Sequence, residues 1–233
     1  MEEQLSQHVE LLRKVSLFEE LREREIRQIV PLLQKRSFSR GDVVVAAQGL
    51  DNSLFLVETG QCKVSLFDGD DKDKEVILAI LKEGDYFGEM ALLDEKPRSA
   101  NVIALKKTQL YELKRDDFLR YAEAHPQTLI NMLKQTFERL RKADSICRDL
   151  ALLDVYGRVA RRLLEIADKE GEDSDGGILI QPPSQQQLAG MLGTSRETVN
   201  RVISEFVRTG SIKKDGRKLL ISNAAMLRAQ VGD

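Results

Sequence analysis

The sequence predicts an α+β chain: an N-terminal antiparallel β-roll with flanking helices, then one long helix, then a C-terminal winged helix-turn-helix. Three observations predict it. Residues 38 to 113 alternate apolar and polar positions in short runs broken by glycines; the stretch after "HPQT" carries an apolar stripe stepping by four and three; and residues 184 to 221 hold two short amphipathic helices followed by a hairpin signal. Successive strand side chains face opposite sides of a sheet, so period-two runs between glycine turns read as a roll or barrel.

With 233 residues the chain is long enough for two domains, each burying its own core. Charged residues make up 32% and hydrophobic ones 42%, and no apolar run approaches the length of a membrane span, so no membrane partner is expected. The start, "MEEQLSQHVELLRKV", is acidic and amphipathic and lacks the basic, apolar and small-residue segments of a secretion signal; a cytoplasmic protein is expected. A net charge of −2 argues against a surface coated for nucleic acid but leaves room for a local basic patch. Cys62 and Cys147 are far apart and lack metal-site spacing, so both read as ordinary buried or half-buried thiols, with no metal or haem expected.

In chain order, a helical stretch from about Leu5 to Leu33 leads. The strand runs "DVVVAAQ", "SLFLVETG", "QCKVSLFD" and "EVILAIL" follow, punctuated by Gly41, Gly49, Gly60, Gly69 and Gly84. Then comes the long helix, with Leu129, Leu133, Thr136, Leu140, Ala143, Cys147 and Leu150 on one narrow stripe flanked by Arg139, Arg141, Lys142 and Arg148. That spacing is the seam of two helices side by side and predicts a homodimer; packing against the protein's own roll is the alternative. Asp154 suits the N-cap of a helix beginning near Val155, which puts a hinge at residues 151 to 154. "DKEGEDSDGG" reads as an acidic surface loop. The expected division is a roll domain over 1–125, a dimerisation helix and hinge over 126–153, and a winged domain over 154–233.

Within the winged domain, "SQQQLAGMLGTSRETVNRVISEFVRTG" has the chemistry of a helix-turn-helix. Ser184 and Gln187 fit a capping box, Ala189 is small where crossing helices touch, and Gly193 suits a left-handed turn. Val199, Val202, Ile203 and Phe206 form the buried face of the second helix, leaving Arg196, Glu197, Asn200, Arg201 and Ser204 outside. Arginine can fork onto guanine and glutamate can accept from the cytosine amine. Alternatively Thr194 and Glu197 form a second capping box. "GSIKKDGRKLLI" predicts a hairpin turning near Asp215-Gly216, whose Lys213, Lys214, Arg217 and Lys218 suit phosphate contacts or a solvated surface.

The roll contains "GEMALLDEKPRSAN", in which Arg98 and Ser99 follow Pro97. A partly enclosed arginine is forked and always charged, so it faces a carboxylate or a phosphate. A Glu89–Arg98 salt bridge bracing the loop is one reading; an anionic ligand is the other.

The order of roll, long helix and winged helix-turn-helix resembles the CRP/FNR family of bacterial transcription regulators over nearly the whole chain. "LLDVYGRVARRLL" and "GTSRETVNRVI" are similar to the catabolite activator branch. The resemblance implies that Arg196, Glu197 and Arg201 read a TGTGA-type half-site in double-stranded DNA, with Thr194, Ser195, Asn200, Lys213, Lys214 and Arg217 completing the contact set. Asn200 departs from the smaller residue frequent in that branch. "FGEMALLDEKPRSA" resembles the phosphate-binding cassette of cyclic-nucleotide domains, the jelly-roll fold that the roll would then adopt. This implies that Glu89 accepts the ribose 2′-hydroxyl, that Arg98 pairs with the cyclic phosphate, and that the turn Gly88, Glu89, Met90, Ala91 supplies amides and Ser99 a hydroxyl. The aligned base contacts on the long helix are Ala143 and Asp144, neither a hydroxyl. Cyclic AMP is the expected ligand, with cyclic GMP or cyclic di-GMP as alternatives, and RNA polymerase an expected partner. His8 and His125 lie far apart and no nucleophile elbow or Walker loop occurs, so no enzyme is expected.

Overall fold

The protein, a computed structural model, is described over residues 2–68 and 71–232. Helices α1 (Glu2–Arg13) and α2 (Glu23–Ile29) precede strands β1 (Gln34–Phe38), β2 (Val43–Val45), β3 (Leu54–Thr59), β4 (Gln61–Asp68), β5 (Asp71–Lys82) and β6 (Tyr86–Phe87). Helix α3 (Glu89–Asp94), strands β7 (Asn101–Ala104) and β8 (Thr108–Leu113), helix α4 (Arg115–Ala124) and the long α5 (Gln127–Leu152) follow. The remainder is α6 (Val155–Glu170), β9 (Glu172–Ser174), β10 (Gly177–Ile180), α7 (Gln185–Leu192), α8 (Arg196–Arg208), β11 (Ile212–Asp215), β12 (Lys218–Ile221) and α9 (Ala224–Ala229). Two compact units divide between Leu140 and Arg141, within α5.

The roll consists of two four-stranded antiparallel sheets, ordered β1-β8-β3-β6 and β2-β7-β4-β5. Between them lies a core that includes Val45, Phe55, Val57, Cys62, Leu81, Phe87, Val102 and Leu110. A second core beneath α1, α2 and α4 takes Leu54 and Leu56 from β3 with Tyr111 and Leu113 from β8. Adjacent residues of β3 therefore feed different cores, and residues 54–57 are all buried. This is why "SLFLVETG" shows so little alternation: a strand covered on both faces needs apolar residues on both. Each fully buried leucine contributes about 1.5–3 kcal/mol.

The leading segment is not one helical run. Helix α1 stops at Arg13, single 3-10 turns occupy Ser16–Phe18 and Val30–Leu32, and α2 lies between them. Val15, Leu17, Phe18 and Leu21, all buried, belong to the turns that join the two helices, and Pro31 sits in the last turn. Gly69 lies outside the described residues. Cys62 is buried, which pushes its thiol up to about 11, whereas Cys147 is exposed on α5, contrary to the half-buried expectation.

Helix α5 has 26 residues, and only Thr128, Asn131 and Met132 near its start are buried. The apolar stripe is bare: Leu133, Leu140 and Leu150 are 52%, 57% and 51% exposed.

In the second unit, Asp154 caps α6 as expected, its Oδ1 accepting from the Gly157 amide at 2.8 Å. Val159, Ala160 and Leu163 of α6 join Leu188 and Ala189 of α7, Val199, Val202, Ile203 and Phe206 of α8, and Leu227 of α9 in one core. Gly157 is required where α6 meets the end of α9, since a Cβ there would lie 2.8 Å from the Gln230 carbonyl oxygen. The sheet runs β11-β12-β10-β9. "DKEGEDSDGG" is not simply a loop: α6 continues through Glu170, and β9 pairs antiparallel with β10 around Asp175-Gly176. Edge pairing uses the backbone, so an acidic, wholly exposed strand leaves no hydropathy signal.

Candidate functional site

The cassette begins where β6 delivers Gly88, whose φ of 95° turns the chain into α3. The first-turn amides of α3, on Glu89, Met90 and Ala91, have no intrahelical acceptor, as at any helix start. The chain returns to Arg98, whose amide donates to the Gly49 carbonyl at 2.9 Å while its own carbonyl accepts from the Gln48 amide at 2.9 Å. These bonds pin Arg98 to the 48–53 segment, and its side chain is buried.

The Arg98 guanidinium donates from Nη1 to the Gly88 carbonyl at 3.1 Å, and from Nη2 to the Ser53 carbonyl and Asp51 Oδ2, each at 2.6 Å. It sits 5.8 Å from the ring centre of Phe55, which stacks on Phe87. Its Nε is buried without a hydrogen-bond partner among the described residues. Glycine at 88 makes this approach possible, since a Cβ would come within 2.5 Å of Nη1. Burial alone pushes the Asp51 carboxyl up, but its bonds to Arg98 and to the Ser53 amide outweigh that and hold it below the ordinary carboxylate range.

The Glu89–Arg98 salt bridge considered from the sequence does not form. Glu89, largely buried, accepts from Arg139 Nη1 of α5 at 2.7 Å, while Arg139 Nη2 donates to the Tyr86 carbonyl at 2.7 Å and stacks 5.1 Å from the Tyr86 ring centre. The two cassette residues hang from opposite ends of the same segment. Each meets a different element, the 48–53 segment for Arg98 and α5 for Glu89. Ser99 is exposed with its hydroxyl 3.8 Å from the Met90 sulfur, so Gly88, Glu89, Met90, Ala91, Arg98 and Ser99 form one constellation. Ala143 and Asp144 are exposed on the α5 segment of the second unit. Asp51 and Arg139 are the residues that sequence reasoning missed. Asp51 carries no motif, and Arg139 reads as a charge flanking the stripe.

In the second unit, the capping box of Ser184 and Gln187 is present and Gly193 adopts the left-handed conformation that ends α7. The cap of α8 is Ser195, whose Oγ accepts from the Thr198 amide at 3.1 Å, so the alternative box of Thr194 with Glu197 is not formed. Ser195 has the extended backbone an N-cap needs, and its hydroxyl is one residue better placed. Arg196, Glu197, Asn200, Arg201 and Ser204 are all exposed, opposite the buried Val199, Val202, Ile203 and Phe206. The Glu197 carboxyl is held below its usual range by its own backbone N–H and the Ser195 hydroxyl, so it stays ionised. Gln185 Nε2 donates to Asn200 Oδ1 at 3.1 Å. Strands β11 and β12 close on the two-residue turn Gly216-Arg217, with Lys213, Lys214 and Arg217 exposed. Lys218 instead faces Glu172 at 3.3 Å. No helix among the described residues is long and apolar enough to cross a membrane.

Residues 35–125 match the family model of a cyclic nucleotide-binding domain, and residues 157–230 match that of a Crp-like helix-turn-helix domain. The cyclic AMP receptor protein of Thermus thermophilus is 34% identical over 211 residues, 91% of this chain and 94% of its own. A CRP-like cAMP-activated global transcriptional regulator of Mycobacterium tuberculosis is 28% identical over 94% of this chain and 97% of its own. Among solved structures, a CooA mutant from Carboxydothermus hydrogenoformans superposes with a TM-score of 0.77 at 25% identity, covering 87% of this chain and 89% of that one.

Proposed function

Because the chain belongs to the Crp family of cyclic-nucleotide-binding transcription regulators, DNA-binding proteins and not enzymes, we propose that it is a homodimer whose affinity for a palindromic TGTGA-type operator is set by cyclic AMP. The observation that carries this reading is Arg98: a buried guanidinium with an unused Nε beside the free amides that open α3. A fork of charged donors next to backbone N–H groups is a receptor for a phosphodiester.

Arg98 pairs with the cyclic phosphate, assisted by Ser99 and the amides of Glu89, Met90 and Ala91, while Glu89 accepts the ribose 2′-hydroxyl. Arg139 already holds Glu89, so nucleotide and α5 share one carboxylate. The bare stripe of α5 meets a second copy of itself, and Ala143 and Asp144 lie near the base. Nucleotide then selects one geometry of the hinge at residues 151–154, placing the two α8 helices about 34 Å apart in successive major grooves. Arg196, Glu197, Asn200 and Arg201 read bases; Thr194, Ser195, Lys213, Lys214 and Arg217 hold phosphates. The functional divisions are 1–125 for nucleotide, 126–153 for dimerisation and 154–233 for DNA, with RNA polymerase a further partner.

Both relatives are named for cyclic AMP, which supports that ligand. Asp144 favours a second reading, cyclic GMP or cyclic di-GMP, because a carboxylate pairs better with the adjacent N–H donors of guanine than with the adenine amine. Calorimetry with all three nucleotides separates these readings. Titrating a labelled TGTGA-type palindrome with and without cyclic AMP tests the coupling, which unchanged affinity refutes.

A further inference from the structure

Asparagine on a recognition helix ordinarily reads adenine, with Oδ1 accepting from N6 and Nδ2 donating to N7. Asn200 is not free to do so in the usual way. It lies one turn beyond Arg196 on the exposed face of α8, and its Oδ1 already accepts from Gln185 Nε2 at 3.1 Å. Gln185 opens α7, and the capping box beside it uses Ser184 and Gln187, so the Gln185 amide can reach across to α8. The buried Val199 and Val202 on the opposite face fix the rotation of α8, which makes the Gln185–Asn200 bond a clamp on one side-chain torsion.

We infer that Gln185 is a positioning residue that presents Asn200 to DNA as a hydrogen-bond donor, directing it to the base whose major-groove edge offers two adjacent acceptors, guanine with N7 and O6, in preference to adenine. This rests on the DNA-binding reading given above. Two Nδ2 hydrogens remain for the groove. Guanine presents two acceptors side by side, thymine and adenine one each, and cytosine a donor amine. Adenine offers those hydrogens N7 alone, and its N6 amine would need the second lone pair of an Oδ1 that Gln185 already holds. The pair Gln185–Asn200 is thus a two-residue specificity element lying beside Arg196, Glu197 and Arg201.

The test is selection from duplexes with randomised five-base-pair half-sites in a palindrome, with cyclic AMP present, for the wild type and for N200A, Q185A and Q185E. N200A identifies the base pair concerned as the one whose preference relaxes. There the wild type favours guanine over adenine by roughly tenfold, the scale of a base-edge contact. Q185A releases the amide and brings adenine at least level at that base pair alone, with its melting temperature unchanged. In Q185E the carboxylate accepts from Nδ2 and turns Oδ1 outward, so preference moves to adenine or cytosine once the uniform loss from added negative charge is divided out. The inference is overturned if the wild type prefers adenine there, or if Q185A leaves that preference unchanged or weakens every sequence equally. A wild type with no preference at any base pair removes the DNA-binding reading and the inference together.

Discussion

Arg98 and Asp51, 47 residues apart in sequence, are joined by a 2.6 Å charge-assisted hydrogen bond at the centre of the cassette. The guanidinium is buried and the carboxylate half exposed, so the chain supplies its own anion where a phosphate is proposed to bind.

Replacing Arg98 by leucine is expected to abolish the heat of cyclic-nucleotide binding in calorimetry. It also leaves the Gly88 and Ser53 carbonyls without their donor, and a stability loss of about 1–3 kcal/mol is expected in denaturant melts. A variant that binds at wild-type concentrations contradicts the phosphate role.

Asp51→Asn removes the competing charge while keeping the shape. Cyclic-nucleotide affinity should rise roughly fivefold, the equivalent of an ion pair worth about 1 kcal/mol. The same variant tests pH dependence. A carboxyl depressed in the folded state stabilises the protein above its unfolded pKa, near 4, and that contribution is lost as pH falls through the lower folded value. The stability gap between wild type and Asp51→Asn should therefore close on acidification below about pH 4. Weaker nucleotide binding by the variant would mean that Asp51 aims Arg98 and does not compete for it.

The doubly substituted Leu133→Glu, Leu140→Glu protein should sediment as a monomer and lose affinity for a palindromic duplex more than for a single half-site. Both positions are more than half exposed within the chain, so circular dichroism should show an intact fold. Persistence of the dimer rejects the stripe as the seam.

Arg196→Ala is expected to cost roughly 1–3 kcal/mol of DNA affinity and to relax one base position. Equal weakening across all sequences would make Arg196 a phosphate contact.

Ser195→Ala should destabilise the winged domain by about 1 kcal/mol, and Thr194→Ala by much less, because only Ser195 caps α8. Equal losses in the two melts would return the cap to Thr194.

The sequence alone was enough wherever a structure is written in a few neighbouring residues. The capping box at Ser184, the left-handed Gly193, the buried face of α8, the cap at Asp154 and the stripe on α5 all depend on bonds or periodicities spanning seven residues or fewer. The cassette was legible for a related reason, since Gly88, Glu89, Arg98 and Ser99 lie on one short segment. Even here one residue mattered: the cap of α8 is Ser195, whose backbone is extended and whose hydroxyl accepts from the Thr198 amide, and not Thr194.

Tertiary structure decided everything that depends on which elements meet. Asp51 faces Arg98 across 47 positions and Arg139 faces Glu89 across 50, pairings set by strand order and by the course of α5. Leu54 and Phe55 are alike as residues yet enter different cores, and β9 pairs through its backbone while its side chains signal a loop. Gln185 and Asn200 meet because α7 crosses α8. Local hydrogen bonds and helical periodicity are fixed by adjacent side chains, whereas the partner of a buried charge is fixed by whichever distant segment the fold brings within 3 Å of it.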